Sequence, residues 1–247
     1  MSIENERPSD SRPRPQSFAA TRWSLVAAAG GEARAPLTEL CVRYWYPVYA
    51  YARRCGHAPE VAQAITQAFF HQLVGERLRK VGSERPARFR EWLLVELARF
   101  VAHEWKGQEV TLDNPALLAP MATELLEQRH RAEGAAIASA DTGFRRSFAL
   151  EVLVRAHNRL RREATQAGRE GMFDALEPYL TVDPPPGQYE VISGTLGTRP
   201  LALVVALKRL RQRYRELADE ELAETVTSAE ELEAERAALH AALRPGG

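Results

Sequence analysis

Cysteine is scarce in this chain of 247 residues, with only Cys41 and Cys55 present. If both lay on one continuous helix, a rise of 1.5 Å per residue would separate them by about 21 Å, which is too far for a disulfide bond. We therefore expect two small, buried, unpaired side chains. A chain without a disulfide framework is expected in a reduced, cytoplasmic environment.

Catalytic and metal-binding motifs are missing as well. The sequence contains no CxxC, HExxH, P-loop or GxSxG pattern, and its six histidines are scattered. His103 and Glu104 are adjacent, so on a helix they would point to different faces and could not act together. We expect no enzymatic activity, no bound metal and no cofactor.

Long apolar runs and net charge are also absent. No segment approaches 18 consecutive apolar residues, so we expect no membrane span. The polar first 17 residues lack the apolar core of a signal peptide and are expected to form a disordered tail. The formal net charge is +0, but residues 142–215 are predominantly basic and residues 216–247 predominantly acidic. The acidic tail either folds back over the basic stretch or is a solvated helix.

Strand patterns are nearly absent, whereas helical periodicity recurs along the chain, so we predict an all-α fold. Two helical modules are expected, joined by a flexible linker, and the second ends in a helix–turn–helix with its turn at 196–199. The predicted divisions are a disordered tail (1–17), a first module (18–107), a linker (108–141), a second module (142–226) and an acidic helix or tail (227–247). One weak helix is predicted in the linker near 121–133, and a long amphipathic helix from Phe144 to Gln166 opens the second module.

The segment RYWYPVYAYARRCGH places five aromatic residues within eight positions. On a helix, Tyr44, Val48 and Tyr51 would form one stripe, and Trp45 and Tyr49 would lie on the adjacent one. The segment is either a surface that stacks nucleic-acid bases or a packed core helix. Base-stacking platforms usually present scattered aromatic residues on strands or loops. The wide apolar face therefore favours the packed helix.

Together these segments resemble the extracytoplasmic-function sigma factors, the small two-domain initiation factors of bacterial RNA polymerase. The matching segments are TRWSL (21–25), YWYPVYAYARR (44–54), GH (56–57), TQAFF (66–70), RFREWLL (88–94), HEW (103–105), LG (196–197) and LKRLRQRYREL (207–217). The resemblance implies that the first module binds polymerase and melts the −10 promoter element. It implies that the second module reads the −35 element with a recognition helix.

Two groups of residues correspond to the family's DNA-contacting regions. One surrounds the loop between the third predicted helix, which begins at Pro59, and the fourth, which begins near Pro86. Arginines there would contact phosphates, clamp a flipped base, or form a solvated rim. The other lies in the helix–turn–helix and the basic run that follows it. The implied DNA-binding residues are Arg77, Arg79, Lys80, Arg85, Arg88, Arg90, Lys106, Thr198, Arg199, Lys208, Arg209 and Arg211.

The third predicted helix corresponds to the polymerase-docking surface of the family. The residues that the resemblance assigns to this contact are Glu60, Gln63, Gln67 and His71. Acidic residues are typical of this face, but Ala64 and Ala68 occupy the corresponding positions here, and Glu60 is the main acid.

Two hypotheses for function remain open. The first is a sigma-like transcription initiation factor that binds core RNA polymerase and promoter DNA, with an anti-sigma or similar regulatory protein as a further partner. The second is a degenerate relative that acts as a protein-interaction adaptor with weak or no DNA binding. It rests on the helix that begins at Pro200, whose first turn reads LALVV where polar base-reading residues are expected. Such a helix would pack against a partner or another part of the chain.

Overall fold

The computed structural model describes residues 34–73, 88–107, 122–134, 139–224, 226 and 228–244. Within these residues the chain forms nine α-helices and no β-strand, which confirms the predicted all-α class. The helices are α1 (Arg34–Arg54), α2 (Pro59–Gln72), α3 (Phe89–Arg99, continued by a π-helical turn, Phe100–Glu104), α4 (Thr123–Glu133), α5 (Ala140–Gln166), α6 (Glu170–Leu176, followed by a 3-10 turn, Glu177–Tyr179), α7 (Gln188–Leu196), α8 (Pro200–Ala223) and α9 (Ala229–Leu243).

Local capping explains several helix boundaries. Helix α5 begins at Ala140, a turn earlier than the expected Phe144, because the Ser139 hydroxyl accepts a hydrogen bond from the Thr142 backbone N–H. Helix α7 ends at Gly197, whose φ of 61° lies in the left-handed region that favours glycine. Pro200 then occupies the first turn of α8, where its missing N–H has no helical partner to lose.

Helix α1 lies at the centre of the largest hydrophobic core. Tyr44, Tyr46 and Tyr49 are all but fully enclosed. The Tyr44 ring stacks on Phe148 with centroids 5.2 Å apart, and Trp45 stacks on a phenylalanine of α2 at 5.6 Å. These contacts confirm that the aromatic segment is a packed helix and leave its rings unavailable for stacking on bases.

The buried core continues across the predicted linker. Helix α5 packs extensively on α1, and its first half places Phe144, Phe148 and Val152 in the same cluster as Tyr44. Its second half supplies Leu160 to a smaller cluster closed by α6 and α8. The predicted boundaries at 107 and 142 remain predictions, but the long α5 connects the regions on either side of them.

Helix α4, which lies inside the predicted linker, is tied to α1 by charged side chains. Glu127 accepts hydrogen bonds from the Tyr49 hydroxyl and from Arg53 Nε, both at 2.6 Å. Arg54 Nη2 lies 3.0 Å from Glu133 Oε2 at the end of α4. This part of the linker is therefore an ordered helix that covers α1.

The two cysteines are unpaired, as expected, but only Cys41 is buried. Burial raises the pKa of the Cys41 thiol to about 12, so it stays protonated. Cys55 lies just beyond the end of α1 and is exposed, which corrects the expectation that both side chains are buried.

Among the helices described, none alone combines the length and apolar character of a membrane span, although the bent pair α7 and α8 meets those two criteria jointly.

Candidate nucleic-acid interface

The start of α3 carries two arginines that the sequence assigned to DNA. Arg88 directly precedes the helix and is exposed. Arg90 is only 3% exposed. Its Nε and Nη2 donate to the two carboxylate oxygens of Glu235 at 2.8 and 3.2 Å, and its Nη1 lies 2.9 Å from Glu91. A phosphate would reach the Arg90 guanidinium only after Glu235 had moved away.

The environment of Arg90 keeps it charged in spite of its burial. Burial lowers its pKa, but the hydrogen-bonded Glu235 and the nearby Glu91 more than reverse this effect and raise the pKa above its usual value. The guanidinium also lies over the Phe148 ring, 5.5 Å from the centroid. Arg90 is therefore an integral part of the core beneath α9.

Helix α9 brings the acidic C-terminal segment back onto the rest of the molecule. It packs on α5 and α8. Beyond the Glu235 pair, Arg236 of α9 binds both oxygens of Asp219 at 2.7 and 2.8 Å, and Arg146 of α5 donates to the Ala242 carbonyl at 3.3 Å. In the basic stretch, α9 holds Arg146, and the acidic end of α8 holds Arg159 and Arg213. The clearest target of the tail is Arg90, which the sequence placed outside that stretch.

Helices α7 and α8 meet at a bend of 101°. The turn between them consists of Gly197, Thr198 and Arg199. Ser193 fixes it, because its hydroxyl donates to the Thr198 carbonyl at 2.6 Å and its carbonyl accepts from the Thr198 N–H at 3.2 Å. Thr198 thus supports the turn through its backbone, while Arg199 is exposed at the start of α8.

The cations in the basic run of α8 differ in exposure. Lys208 and Arg209 are exposed. Arg211 instead donates to the carbonyls of Tyr179, at 2.8 and 3.0 Å, and of Val182, at 2.5 Å, and its Nη1 lies 2.9 Å from Asp183. Arg211 therefore anchors the loop that leads to α7, and of the three cations of this run assigned to DNA, Lys208 and Arg209 are open to a ligand.

The apolar first half of α8 is buried on one side only. Leu203 and Leu207 pack against α6 and α7. Leu201 is 74% exposed, and Val204 and Val205 are each more than 40% exposed. The sequence left open whether this stretch packs on a partner or on another part of the chain, and the described helices cover only one face of it.

One exposed face of α8 borders an open groove of about 800 Å³ between α5, α6 and α8. We call this the α8 groove. Its floor and walls are largely apolar and include Leu160, Ala164, Phe173, Leu201, Val205 and Leu210. Four arginines line it as well: Arg169 just before α6, Arg199 just before α8, and Arg209 and Arg213 within α8.

The residues assigned to polymerase contact lie on α2, as expected, but they differ in exposure. Glu60 and His71 are exposed and Gln67 is half-buried. The side-chain oxygen of Gln63 accepts a hydrogen bond from the Thr123 hydroxyl at the start of α4. Helix α4 therefore already occupies part of this surface.

The remaining assigned cations are in two places. Arg77, Arg79, Lys80 and Arg85 lie outside the residues that the structure describes. Lys106 follows the π-helical turn after α3 and is exposed. Of the cations assigned to DNA, the exposed ones in the described part of the chain are thus Arg88, Lys106, Arg199, Lys208 and Arg209.

A buried charge network that sequence reasoning missed joins α1 to α8. Arg43, only 8% exposed, lies 3.1 Å from Glu221 and also binds Glu224. Arg159 of α5 binds Glu221 at 2.9 Å. The position of Arg43 beside the aromatic stripe was the available signal, because a charge there must find a partner in the core. The partners are about 180 residues away in the chain, and periodicity within α1 does not identify them.

Within the described ranges, no group of three or more histidine, cysteine or acidic residues is placed to hold a metal ion. Comparison with protein-family models, curated proteins and solved structures finds no match for this chain.

Proposed function

We propose that the chain is a sigma-like transcription initiation factor that binds core RNA polymerase and promoter DNA. The observation that carries the proposal is the bent pair of α7 and α8, with Arg199, Lys208 and Arg209 exposed along the second helix. A short helix, a tight turn and a longer helix with outward cations form the arrangement that helix–turn–helix proteins place at the major groove. The segments that resemble sigma factors support the same function.

The exposed cations suit contacts with phosphates more than base readout. Arg88 at the start of α3 and the two exposed cations Lys208 and Arg209 present charge to solvent, while the first turn of α8 presents aliphatic side chains. Phosphate contacts fix position and orientation but carry no direct sequence information. We expect modest affinity and a shallow dependence on salt, because few phosphates would be neutralised.

The direct test is co-purification with polymerase from the native cell, followed by run-off transcription with purified core enzyme. The proposal expects core polymerase in the eluate and weak initiation at some promoter. Polymerase absent from the eluate would overturn it.

A charge-reversal series tests the role of α8 in DNA binding. Lys208→Glu with Arg209→Glu should weaken duplex DNA binding about tenfold or more at low salt and should reduce the salt slope. Arg131→Glu with Arg244→Glu, an exposed double reversal on α4 and just after α9, is the matched control and should have a smaller effect. Equal losses in the two variants would argue against a DNA-binding face on α8.

Helix α9 would regulate DNA binding under this proposal, because the Glu235 carboxylate is hydrogen-bonded to the Arg90 guanidinium and blocks its access to a phosphate. Glu235→Gln keeps the shape of the side chain but removes its charge, and it should strengthen DNA binding at low salt. Glu233→Gln, on the exposed side of α9, is the control. An unchanged binding curve for Glu235→Gln would leave α9 with a structural role only.

A second candidate function is a protein-interaction adaptor. The exposed Leu201, Val204 and Val205 favour it, because they stand where a recognition helix would carry polar base-reading groups. An adaptor would bind a partner protein but would neither recover polymerase nor bind duplex DNA at low salt.

A further inference from the structure

Aliphatic side chains of the α8 groove are open to solvent. Leu201 and Val205 stand at its edge, 74% and 43% exposed, above the buried Phe173. Single exposed aliphatic residues are common, but here they line one concave surface that other described residues do not cover. A contiguous apolar concavity of this kind is typical of a binding site for another molecule.

The charged residues around the groove indicate the charge of the molecule that binds there. Arg213 is neutralised within the chain by Glu163 at 2.8 Å and by two glutamates of α8. Arg169, Arg199 and Arg209 line the same groove, and none of them forms an ion pair with another residue of the described part of the chain. Three uncompensated guanidinium groups around an apolar floor complement a molecule that is apolar on one side and acidic on its edges.

The shape of the groove favours a helix as that molecule. From Leu201 to Arg213 it follows α8 for about 18 Å, at 1.5 Å per residue, which is about three helical turns. It is partly open to solvent, whereas sites for small molecules usually enclose most of the ligand. Duplex DNA would supply negative charge but few apolar groups for Leu201 and Val205 to contact.

We infer that the α8 groove binds an amphipathic, acidic helix of a partner protein, with the apolar face of that helix on Leu201 and Val205. The acidic edges would pair with Arg169, Arg199 and Arg209, in the helix-in-groove manner of peptide recognition. This inference rests on the groove alone and goes beyond the proposed function. Failure of polymerase or promoter binding would leave it standing.

The test uses a fluorescent synthetic peptide of about 18 residues, long enough for five helical turns, with leucines at i, i+3, i+4 and i+7 spacing and glutamates between them. Fluorescence anisotropy with the full chain should show saturable binding in the micromolar to submillimolar range. Val205→Asp should weaken it at least tenfold, because a charge would face the apolar side of the helix. Val95→Asp, at a more exposed valine on α3, is the control and should not.

Charge-reversal variants provide a second test of the inference. Arg199→Glu with Arg209→Glu should weaken binding of the acidic peptide about tenfold, and the loss of affinity should be larger at low salt. Lys208→Glu, outside the groove, should have little effect on peptide binding. A lysine version of the peptide should bind less tightly than the glutamate version. Circular dichroism of each variant checks that the fold is kept.

Several results would overturn the inference. They are absence of saturable binding, equal binding of a scrambled peptide, or equal losses in Val205→Asp and Val95→Asp. If dodecanoate or duplex DNA bound in a Val205-dependent way while the peptide did not, the groove would belong to a lipid or to nucleic acid. If Val205→Asp converted a dimer to a monomer in sedimentation experiments, the occupant would be a second copy of the chain.

Discussion

The stretch of α1 from Tyr44 to Ala52 and the first half of α8 are both apolar on nearly every side, yet only the stretch of α1 is covered on all sides. In α1 the aromatic side chains from Tyr44 to Tyr51 are all buried. In α8 Leu203 and Leu207 are buried, but Leu201, Val204 and Val205 are exposed. Helix α1 is enclosed by α5, α2 and α4, whereas the first half of α8 rests on α6 and α7 along one side. A helix that is apolar all round indicates a covered helix, but its sequence does not say whether the cover is intramolecular.

The largest effect expected from this comparison is at Tyr44. Its ring contacts Phe89, Phe144 and Phe148. Tyr44→Ala should lower the free energy of unfolding by about 3–5 kcal/mol in urea denaturation, because it leaves a cavity in the core. Tyr44→Phe is the control and should be near neutral, since the buried hydroxyl has no hydrogen-bond partner among the described residues. A loss below about 1 kcal/mol for the alanine variant would contradict a packed α1.

The next effect concerns the attachment of α9. Glu235→Ala should lower the free energy of unfolding by about 3 kcal/mol, because it leaves Arg90 charged and buried without its main partner. The double variant Arg90→Met with Glu235→Leu should recover most of the loss, since burying two apolar groups removes the desolvation cost. If the double variant were as unstable as Glu235→Ala, packing of α9 and not the ion pair would account for the loss.

A smaller, pH-dependent effect is expected where α4 covers α1. The hydrogen bond from Arg53 and, less strongly, that from Tyr49 lower the pKa of Glu127, against the opposing effect of burial. Ionised Glu127 therefore stabilises the folded state, and this contribution is complete well above the unfolded-state pKa of Glu127, about 4.3. It is lost as the pH falls through the lower pKa of Glu127 in the folded state. Urea denaturation at pH 7 and at pH 3 should therefore show a gap between wild type and Glu127→Gln that narrows in acid. A gap independent of pH would exclude this linkage.

The smallest effect is expected in the α8 groove. Leu201→Ser should change the free energy of unfolding by no more than about 0.5 kcal/mol, because the side chain is already 74% exposed. The same substitution should weaken binding of the acidic peptide, so that the affinity for the peptide changes and the free energy of unfolding does not. Chemical denaturation and peptide titration on the same protein sample measure both. A destabilisation comparable with that of Tyr44→Ala would mean that Leu201 is a core residue.

Local features of the chain could be predicted from the sequence because they depend on nearby residues. The spacing of Tyr44, Val48 and Tyr51 placed them in the core, and Gly197 and Pro200 marked the turn between α7 and α8. The helical segments followed from periodicity over three to four residues, which needs no knowledge of the rest of the fold. The start of α5 was placed too late, because Ser139 caps the helix ahead of its apolar stripe.

The candidate interface was harder to predict, because the availability of a cation depends on distant partners. Lys208, Arg209 and Arg211 look alike in sequence, but the loop carbonyls at Tyr179 and Val182 engage Arg211 alone. Arg88 and Arg90 are two positions apart, and only Arg90 faces the core beneath α9.

The sequence by itself determined that the chain is helical, where its aromatic core lies and where its turns fall, because propensity, periodicity and capping act within a few residues. The tertiary structure alone decided that Glu235 covers Arg90, that Arg43 meets Glu221 and that the face of α8 with Leu201 stays open. Each of these depends on which helices meet in space, and contacts between residues tens to hundreds of positions apart leave no periodic signal in the chain.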